Sequence, residues 1–312
     1  MNIIEVKNIS KKFDNKIVLD NISFTVGKGD IFGLIGPNGA GKSTLINIMT
    51  GLLDSNNGSI DIGGFDIKKN PIKAKELLGL VPQELALMET VSAYDNLEFF
   101  GSLYGLKGKL LKERIDYALD ITGLSEKRKD KVKKFSGGMK RRLNLAAAIM
   151  HEPKILILDE PTVGIDPQSR NHIFEFIKGV NTEKNTTIIY TSHYMEEVDY
   201  LCDNIFIIDE GKEVAYGNKA TVKSMISNNN KVHLKVDNVT KDLIDNIKCV
   251  DGVLNCTYDH GQINLLVDDD NFKLELLLKI VENNKSAIKS INVDEPNLEE
   301  VFLALTGKKL RD

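Results

Sequence analysis

The run Gly36-Pro-Asn-Gly-Ala-Gly-Lys-Ser-Thr44 constrains this chain more than any other stretch, because it fits the pattern Gly-x4-Gly-Lys-Ser/Thr. Ile31-Phe-Gly-Leu-Ile35 before it reads as a short buried strand, and Lys42 to Leu52 after it as a helix ended by Gly51. Strand, glycine loop and helix in that order aim backbone N–H groups and a helix N-terminus at one spot, which suits the oxygens of a polyphosphate. Gly36, Asn38, Gly39, Ala40 and Gly41 form the cradle. Lys42 reaches for the β- and γ-phosphates, and Ser43, followed by Thr44, offers a hydroxyl to Mg²⁺.

A chain of 312 residues suits two domains and holds enough apolar sequence for ordinary cores. The net charge of −4 excludes a chain-wide basic field for nucleic acid. Cys202, Cys249 and Cys256 lie at neither metal nor redox-motif spacing, so structural roles in a reducing cytosol are expected. The first residues lack a secretory signal pattern, and no apolar run approaches the ~18 residues of a membrane span, so this chain is not expected to cross a bilayer by itself.

Ile3 to Val6 and Ile17 to Val26 alternate apolar and polar residues and predict an antiparallel pair, with Lys11 to Lys16 as the turn. Phe13, in that turn, either stacks on a base or tucks against the sheet. Past the loop, a turn at Asp54 to Gly58 leads to a strand at Ser59 to Ile62, a short helix at Pro71 to Leu78, and Leu80-Val-Pro-Gln83. Gln83 follows a buried strand closely enough to reach a metal ion or water, although such a glutamine is ordinarily a solvated loop residue. Ser92 to Tyr104, Lys109 to Thr122 and Met139 to Met150 carry helical apolar spacing, which predicts an inserted helical lobe over about 90–150.

The basic run Lys127 to Lys134 reads first as a solvated surface, with lipid headgroups or phosphate as lesser options. Ser136 after it can cap a helix, and Gly137 and Gly138 leave N–H groups open to an anion. Lys154-Ile-Leu-Ile-Leu-Asp-Glu-Pro161 is an apolar strand ending in two carboxylates. A buried parallel strand delivers its C-terminal residues to the ligand crevice, so Asp159 is placed toward Mg²⁺ and Glu160 toward a water. Asp166-Pro167 starts another helix, and Ser192-His193 ends a strand at Thr187 to Tyr190, where His193 can share that crevice. His151, His172, His233 and His260 have no such setting. A hairpin at Ile205 to Tyr216 closes the first domain near residue 218.

The remainder predicts strand 232–236, helix 241–247, strands 252–258 and 262–267 around Asp-His-Gly, helix 272–281, strand 288–293 and a last helix 297–305. That order is a split βαβ, ferredoxin-like arrangement, read as regulatory or dimer-forming.

Together these stretches resemble the ATP-binding subunit of an ATP-binding cassette (ABC) transporter over residues 1 to about 218. GPNGAGKST resembles the Walker A loop, Gln83 the Q-loop, Phe135 to Met139 the family signature, ILILDEP the Walker B strand, Gly164-Ile-Asp166 the D-loop and His193 the switch histidine. Phe13 matches the adenine-stacking aromatic. The signature departs from its usual form, with Phe135 and Met139 in place of leucine and glutamine, while Ser136, Gly137 and Gly138 remain. The segment Glu295 to Gly307 is similar to the exporter branch that works with separate permeases of the ABC-2 type.

The resemblance implies an α/β fold at 1–218, a P-loop ATPase cassette with a mixed sheet, an antiparallel β subdomain and an inserted helical lobe; the element order after it adds a small α+β, ferredoxin-like domain at 219–312. It implies ATP and Mg²⁺ as ligands, a head-to-tail pair of cassettes, and a multi-span permease as partner on the inner face of the membrane. Glu160 would orient the attacking water, His193 hold the γ-phosphate, and Asp166 and the signature meet nucleotide held by the second copy. No nucleic acid partner is expected. Two rivals stand beside it: a soluble cassette ATPase acting on nucleic acid or the ribosome, and a nucleotide sensor without turnover.

Overall fold

A computed structural model describes residues 1–226, 229–259, 261–268, 270–294 and 297–307. These form two compact units, Met1–Lys219 and the described residues from Ala220 to Gly307. His260, Glu295 and Pro296, which the sequence reading placed in a turn and at the head of the last segment, lie outside the described residues.

The first unit opens with two long strands, β1 (Asn2–Phe13) and β2 (Lys16–Gly27), then β3 (Ile31–Ile35) and α1 (Lys42–Met49). The turn between β1 and β2 is shorter than expected: Lys11 to Phe13 pair with β2, leaving Asp14 and Asn15 to reverse the chain. Backbone pairing has absorbed polar residues that carry no apolar alternation, which is why the sequence pattern missed them. Helix α1 also stops earlier than expected. Thr50 returns its hydroxyl to Ile46 O at 2.9 Å, and Gly51 turns the chain at φ 63°.

Next come β4 (Asn57–Ile62), the two-residue β5 (Phe65–Asp66), α2 (Pro71–Glu76) and β6 (Leu78–Val81). The short helix therefore ends before Leu78, which belongs to the strand. Three helices follow: α3 (Ala93–Leu103), begun by a capping box at Ser92 and Asp95, α4 (Gly108–Ile121) and α5 (Gly137–Ala148). They pack on one another through residues such as Leu97, Leu111, Ile115 and Leu143, all buried. The chain then returns through β7 (Ile155–Leu158), α6 (Pro167–Lys184), β8 (Thr187–Ser192), α7 (Met195–Leu201), β9 (Asn204–Asp209) and β10 (Lys212–Asn218). Helix α7 was not anticipated from the sequence.

Two sheets result. One is antiparallel in the order β2-β1-β4-β5; the other runs β10-β9-β3-β8-β7-β6 and is parallel except at β10. Strands β3, β7 and β8 are buried along their whole length, as expected for parallel strands covered on both faces. Phe24 of the antiparallel sheet packs on Phe32 and Phe206 of the other, with centroids 5.3 and 4.9 Å apart, in a core shared with Leu45 and Met49 of α1.

After α8 (Lys219–Lys223), the second unit contains β11 (Asn229–Val236), α9 (Lys241–Lys248), β12 (Val253–Asp259), β13 (Gln262–Asp268), α10 (Leu274–Asn283), β14 (Ile288–Asp294) and α11 (Leu298–Thr306). Its sheet is antiparallel, ordered β12-β13-β11-β14. Val232, Leu234 and Val236 on β11, and Ile263, Leu265 and Val267 on β13, point to one face, where Leu243 and Ile247 of α9 and Leu277 and Val281 of α10 cover them. Lys231, on the opposite face, pairs with Glu300 of α11. Among the described residues of either unit, no helix is long and apolar enough to cross a membrane.

Candidate active site

The loop after β3 is shaped by contacts that only glycine permits. A Cβ on Gly36 would sit 2.2 Å from Ile208 O, and Gly41, at φ 112°, would drive one to 2.8 Å from Leu19. The loop is tied down from behind: Gly211 N–H donates to Ala40 O at 2.9 Å, and Asp20 N–H donates to Gly211 O at 2.8 Å. Gly41 is the N-cap of α1, and no side chain caps that end, so its first N–H groups are open to an anion. Asn38 and Gly39 form the exposed tip, while Ser43 and Thr44 lie in the first turn of α1.

Lys42 is 5% exposed and folds back over this loop. Its Nζ donates to Gly36 O at 2.7 Å and Pro37 O at 3.2 Å, and stands 3.2 Å from Glu160 Oε1. A buried ammonium held by two carbonyls and one carboxylate is a cation whose partners a phosphate can replace.

The carboxylates arrive by strand register. Strand β7 lies beside β8, which lies beside β3, so Asp159, Glu160, His193 and Gly36 all emerge at the same sheet edge. Thr191 locks them there: its hydroxyl lies 2.9 Å from Asp159 Oδ1 and accepts the Glu160 N–H at 2.8 Å. Glu160 holds a left-handed backbone, φ 46°, which for a residue other than glycine costs of order 1–3 kcal/mol. That turn points its carboxylate back between Lys42 and His193, whose Nδ1 is 3.4 Å from Glu160 Oε2.

Burial pushes the Asp159 carboxyl above its ordinary range; the Glu160 charge adds to this, while Thr191, Lys42 and nearby Ser43 oppose it. The folded chain therefore holds that proton more tightly than the unfolded chain. The resulting stabilisation is complete below the ordinary carboxylate range and is lost as pH rises through the raised folded value. Above that value the carboxylate is charged in both states and the cost of burying it stands. Asp159→Asn keeps an acceptor for Thr191 and removes the charge, so its thermal midpoint without nucleotide should exceed the parent's at pH 7. The gap should narrow toward about pH 4, near the ordinary carboxylate value. A lower midpoint at pH 7 would mean that the charge is net stabilising through Lys42 and Ser43.

The other sequence candidates stand apart from this cluster. Gln83 is exposed, and among the described residues only its backbone carbonyl is hydrogen-bonded, accepting from Arg141 Nη2 at 2.6 Å. Ser136 caps α5, accepting Met139 N–H at 3.2 Å, a contact worth about 1 kcal/mol. Gly138 packs so tightly on the start of α6 that a Cβ there would meet Ser169 Oγ at 2.1 Å. The Asp166 carboxylate caps α6 through Ser169 N–H at 2.9 Å. Ser136, Gly137, Gly138 and Asp166 thus share one patch, and no hydrogen bond among the described residues joins that patch to the loop. Phe13 is 45% exposed at the end of β1, with Lys11 Nζ 4.9 Å from its ring centroid, so it is not tucked against the sheet.

Sequence reasoning missed Thr191, Arg141 and Glu197. Arg141 is buried and also bonds Pro82 O at 2.9 Å, which ties α5 to the Gln83 loop. The one available signal for Thr191 was its place beside Ser192-His193 at the end of a buried strand.

Residues 19–163 match the model of the ABC transporter family. The linearmycin resistance ATP-binding protein LnrL of Bacillus subtilis is 44% identical over 312 residues, covering 99% of this chain and 100% of its own. The Nod factor export ATP-binding protein I of Sinorhizobium fredii is 34% identical, covering 99% of this chain and 87% of its own. Among solved structures, cbiO1 from Clostridium perfringens, described as part of the ABC transporter complex cbiONQ, superposes with a TM-score of 0.67 at 30% identity, covering 72% of this chain and 91% of its own. With a polyphosphate loop, a buried lysine and paired carboxylates at one sheet edge, and full-length relatives of this similarity, the chain belongs to the ABC transporter family, among its ATP-binding proteins.

Proposed function

We propose that this chain hydrolyses ATP to power an exporter, working as a head-to-tail pair of cassettes bound to a separate multi-span permease on the inner face of the membrane. The observation that carries the hydrolytic reading is Glu160, held in a strained turn between Lys42 and His193. In this reading Lys42 exchanges its loop carbonyls for the β- and γ-phosphates, Glu160 orients the attacking water as base, and His193 holds the γ-phosphate. Ser43 and Asp159 together with Gln83 would hold Mg²⁺, which when bound supplies positive charge against the phosphates. Exposed Phe13 stacks on the adenine, and the patch of Ser136, Gly137, Gly138 and Asp166 faces nucleotide held by the second copy.

The permease reading rests on the names of the relatives and on a groove in this chain. Leu52, Leu80, Phe100, Tyr104 and Ala148 line a shallow groove of about 280 Å³ between the helical lobe and the sheet, beside Pro82. Leu52 and Tyr104 are 65% and 47% exposed there. A helix of the membrane subunit seated in it would touch the Gln83 loop that Arg141 clamps. The second unit carries a regulatory or assembly role. Native protein is expected to sediment with membranes, to leave them in detergent bound to a multi-span polypeptide, and to hydrolyse ATP at a rate set by that partner. Recovery wholly in the soluble fraction, with no membrane polypeptide after mild crosslinking, would overturn the exporter and revive the soluble ATPase.

A further inference from the structure

Glu197 lies on α7, outside every motif described above, and is 3% exposed. Three hydroxyls converge on one of its oxygens, Oε2: Thr162 at 2.8 Å, Tyr190 at 2.8 Å and Ser192 at 3.0 Å. Its other oxygen, Oε1, is buried without a hydrogen-bond partner, 3.7 Å from Arg170 Nη1 on α6. A carboxylate so deep, with three donors on one oxygen and only a long approach of Arg170 to the other, is costly unless what it holds in place matters.

What it holds is the two turns that present the reactive pair. Thr162 comes two residues after Glu160, in the turn closed by Val163 N–H to Glu160 O and Ile165 N–H to Thr162 O. Ser192 comes one residue before His193, and its Oγ also accepts the Tyr194 N–H at 2.9 Å, so one hydroxyl spans the backbone on both sides of His193. Tyr190 lies beside Leu158 across the strands that deliver both turns. Glu197 is thus a common anchor for two loops that also meet through the 3.4 Å approach of His193 to Glu160 and through Thr191, which bonds the Glu160 N–H and the Asp159 carboxylate.

We propose that Glu197 is a positioning residue for ATP hydrolysis, holding the turns after Glu160 and around His193 in mutual register. This rests on the reading of Glu160 and His193 given above. Glutamine at this site keeps the length and shape but removes the charge: an amide oxygen in the place of Oε2 accepts the three hydroxyls less strongly, and the amide NH₂ then faces Arg170, a donor against a donor. The turns then drift, and misplacements of this kind cost up to about 100-fold in rate.

The test uses the full-length chain and four variants: Glu197→Gln, His193→Ala, the double variant, and the exposed neighbour Glu196→Gln as control. Glu197→Gln is expected to lower kcat on the order of 10- to 100-fold, with KM for ATP within about twofold, while Glu196→Gln matches the parent. In the His193→Ala background the same substitution should cost less than about twofold, because two residues acting as a unit are not additive. The ¹⁵N resonances of the His193 ring should move in Glu197→Gln and not in Glu196→Gln. Equal losses in both backgrounds, or unmoved His193 resonances, would overturn the proposal. If His193→Ala alone turns over like the parent, the role given to His193 fails, and the ring resonances still decide whether Glu197 positions it. Should Glu197→Gln fold poorly, Ser192→Ala and Thr162→Val remove the donors one at a time. Each should then lower kcat without raising KM; parent-like kcat in both would equally overturn the proposal.

Discussion

Glu160→Gln should bind ATP close to normally and hydrolyse it about 10² to 10⁴ times more slowly, the usual span for losing a general base. The geometry explains why binding survives. The left-handed turn at Glu160 is held by its backbone N–H on Thr191, which the substitution leaves alone. Lys42 loses one charged partner but keeps the carbonyls of Gly36 and Pro37, so the loop retains its shape. Taking a buried negative charge away from a site that receives a polyphosphate also weakens no attraction for it. Equilibrium binding of labelled ATP and single-turnover phosphate release measure the two effects separately. A variant that turns over near the parent rate would remove Glu160 from the chemistry, and one that no longer binds would give it a structural role at the loop.

Ser136→Arg is expected to collapse turnover, on the order of 10²-fold or more, while the isolated chain still binds ATP. Ser136 is exposed and joined by no hydrogen bond to the loop of its own chain, so an arginine there costs the helix cap, about 1 kcal/mol, and little else in the single copy. In the head-to-tail reading, the same patch closes over nucleotide held by the second copy, where an arginine does not fit. Mixing Ser136→Arg with Lys42→Ala leaves at most one intact composite site per mixed pair. Partial recovery of activity on mixing is the expected result where sites are shared and able to fire singly. Equal loss of ATP binding in isolated Ser136→Arg would place the signature and Lys42 in one site and defeat the shared arrangement.

How much of this could be read without coordinates follows the range of the interactions involved. The nucleotide loop was legible because strand, glycines and helix are contiguous, and each residue type answers a local demand. Asp166 and Ser136 as helix starts were legible for the same reason, since a cap reaches only three residues ahead. Boundaries suffered where local signals were weak. Polar Lys11 and Lys12 joined β1 by pairing with β2, Leu78 left its helix for a strand, and α7, at Met195–Leu201, carried no signal strong enough to announce it.

The sequence alone determined the chemistry on offer: a lysine and hydroxyls on a phosphate loop, two carboxylates and a histidine at the ends of apolar strands. It determined these because they are encoded as residue types at short spacing. Tertiary structure alone decided how those groups meet. Parallel register between β7, β8 and β3 set Thr191 between Asp159 and Glu160, and Glu197 gathered hydroxyls from residues 162, 190 and 192. It also held Glu160 in its left-handed turn and packed Gly138 against the start of α6. Such contacts join residues tens of positions apart, where no periodicity links them, and burial turns a hydroxyl or carboxylate that would be ordinary on the surface into one whose partners must be found.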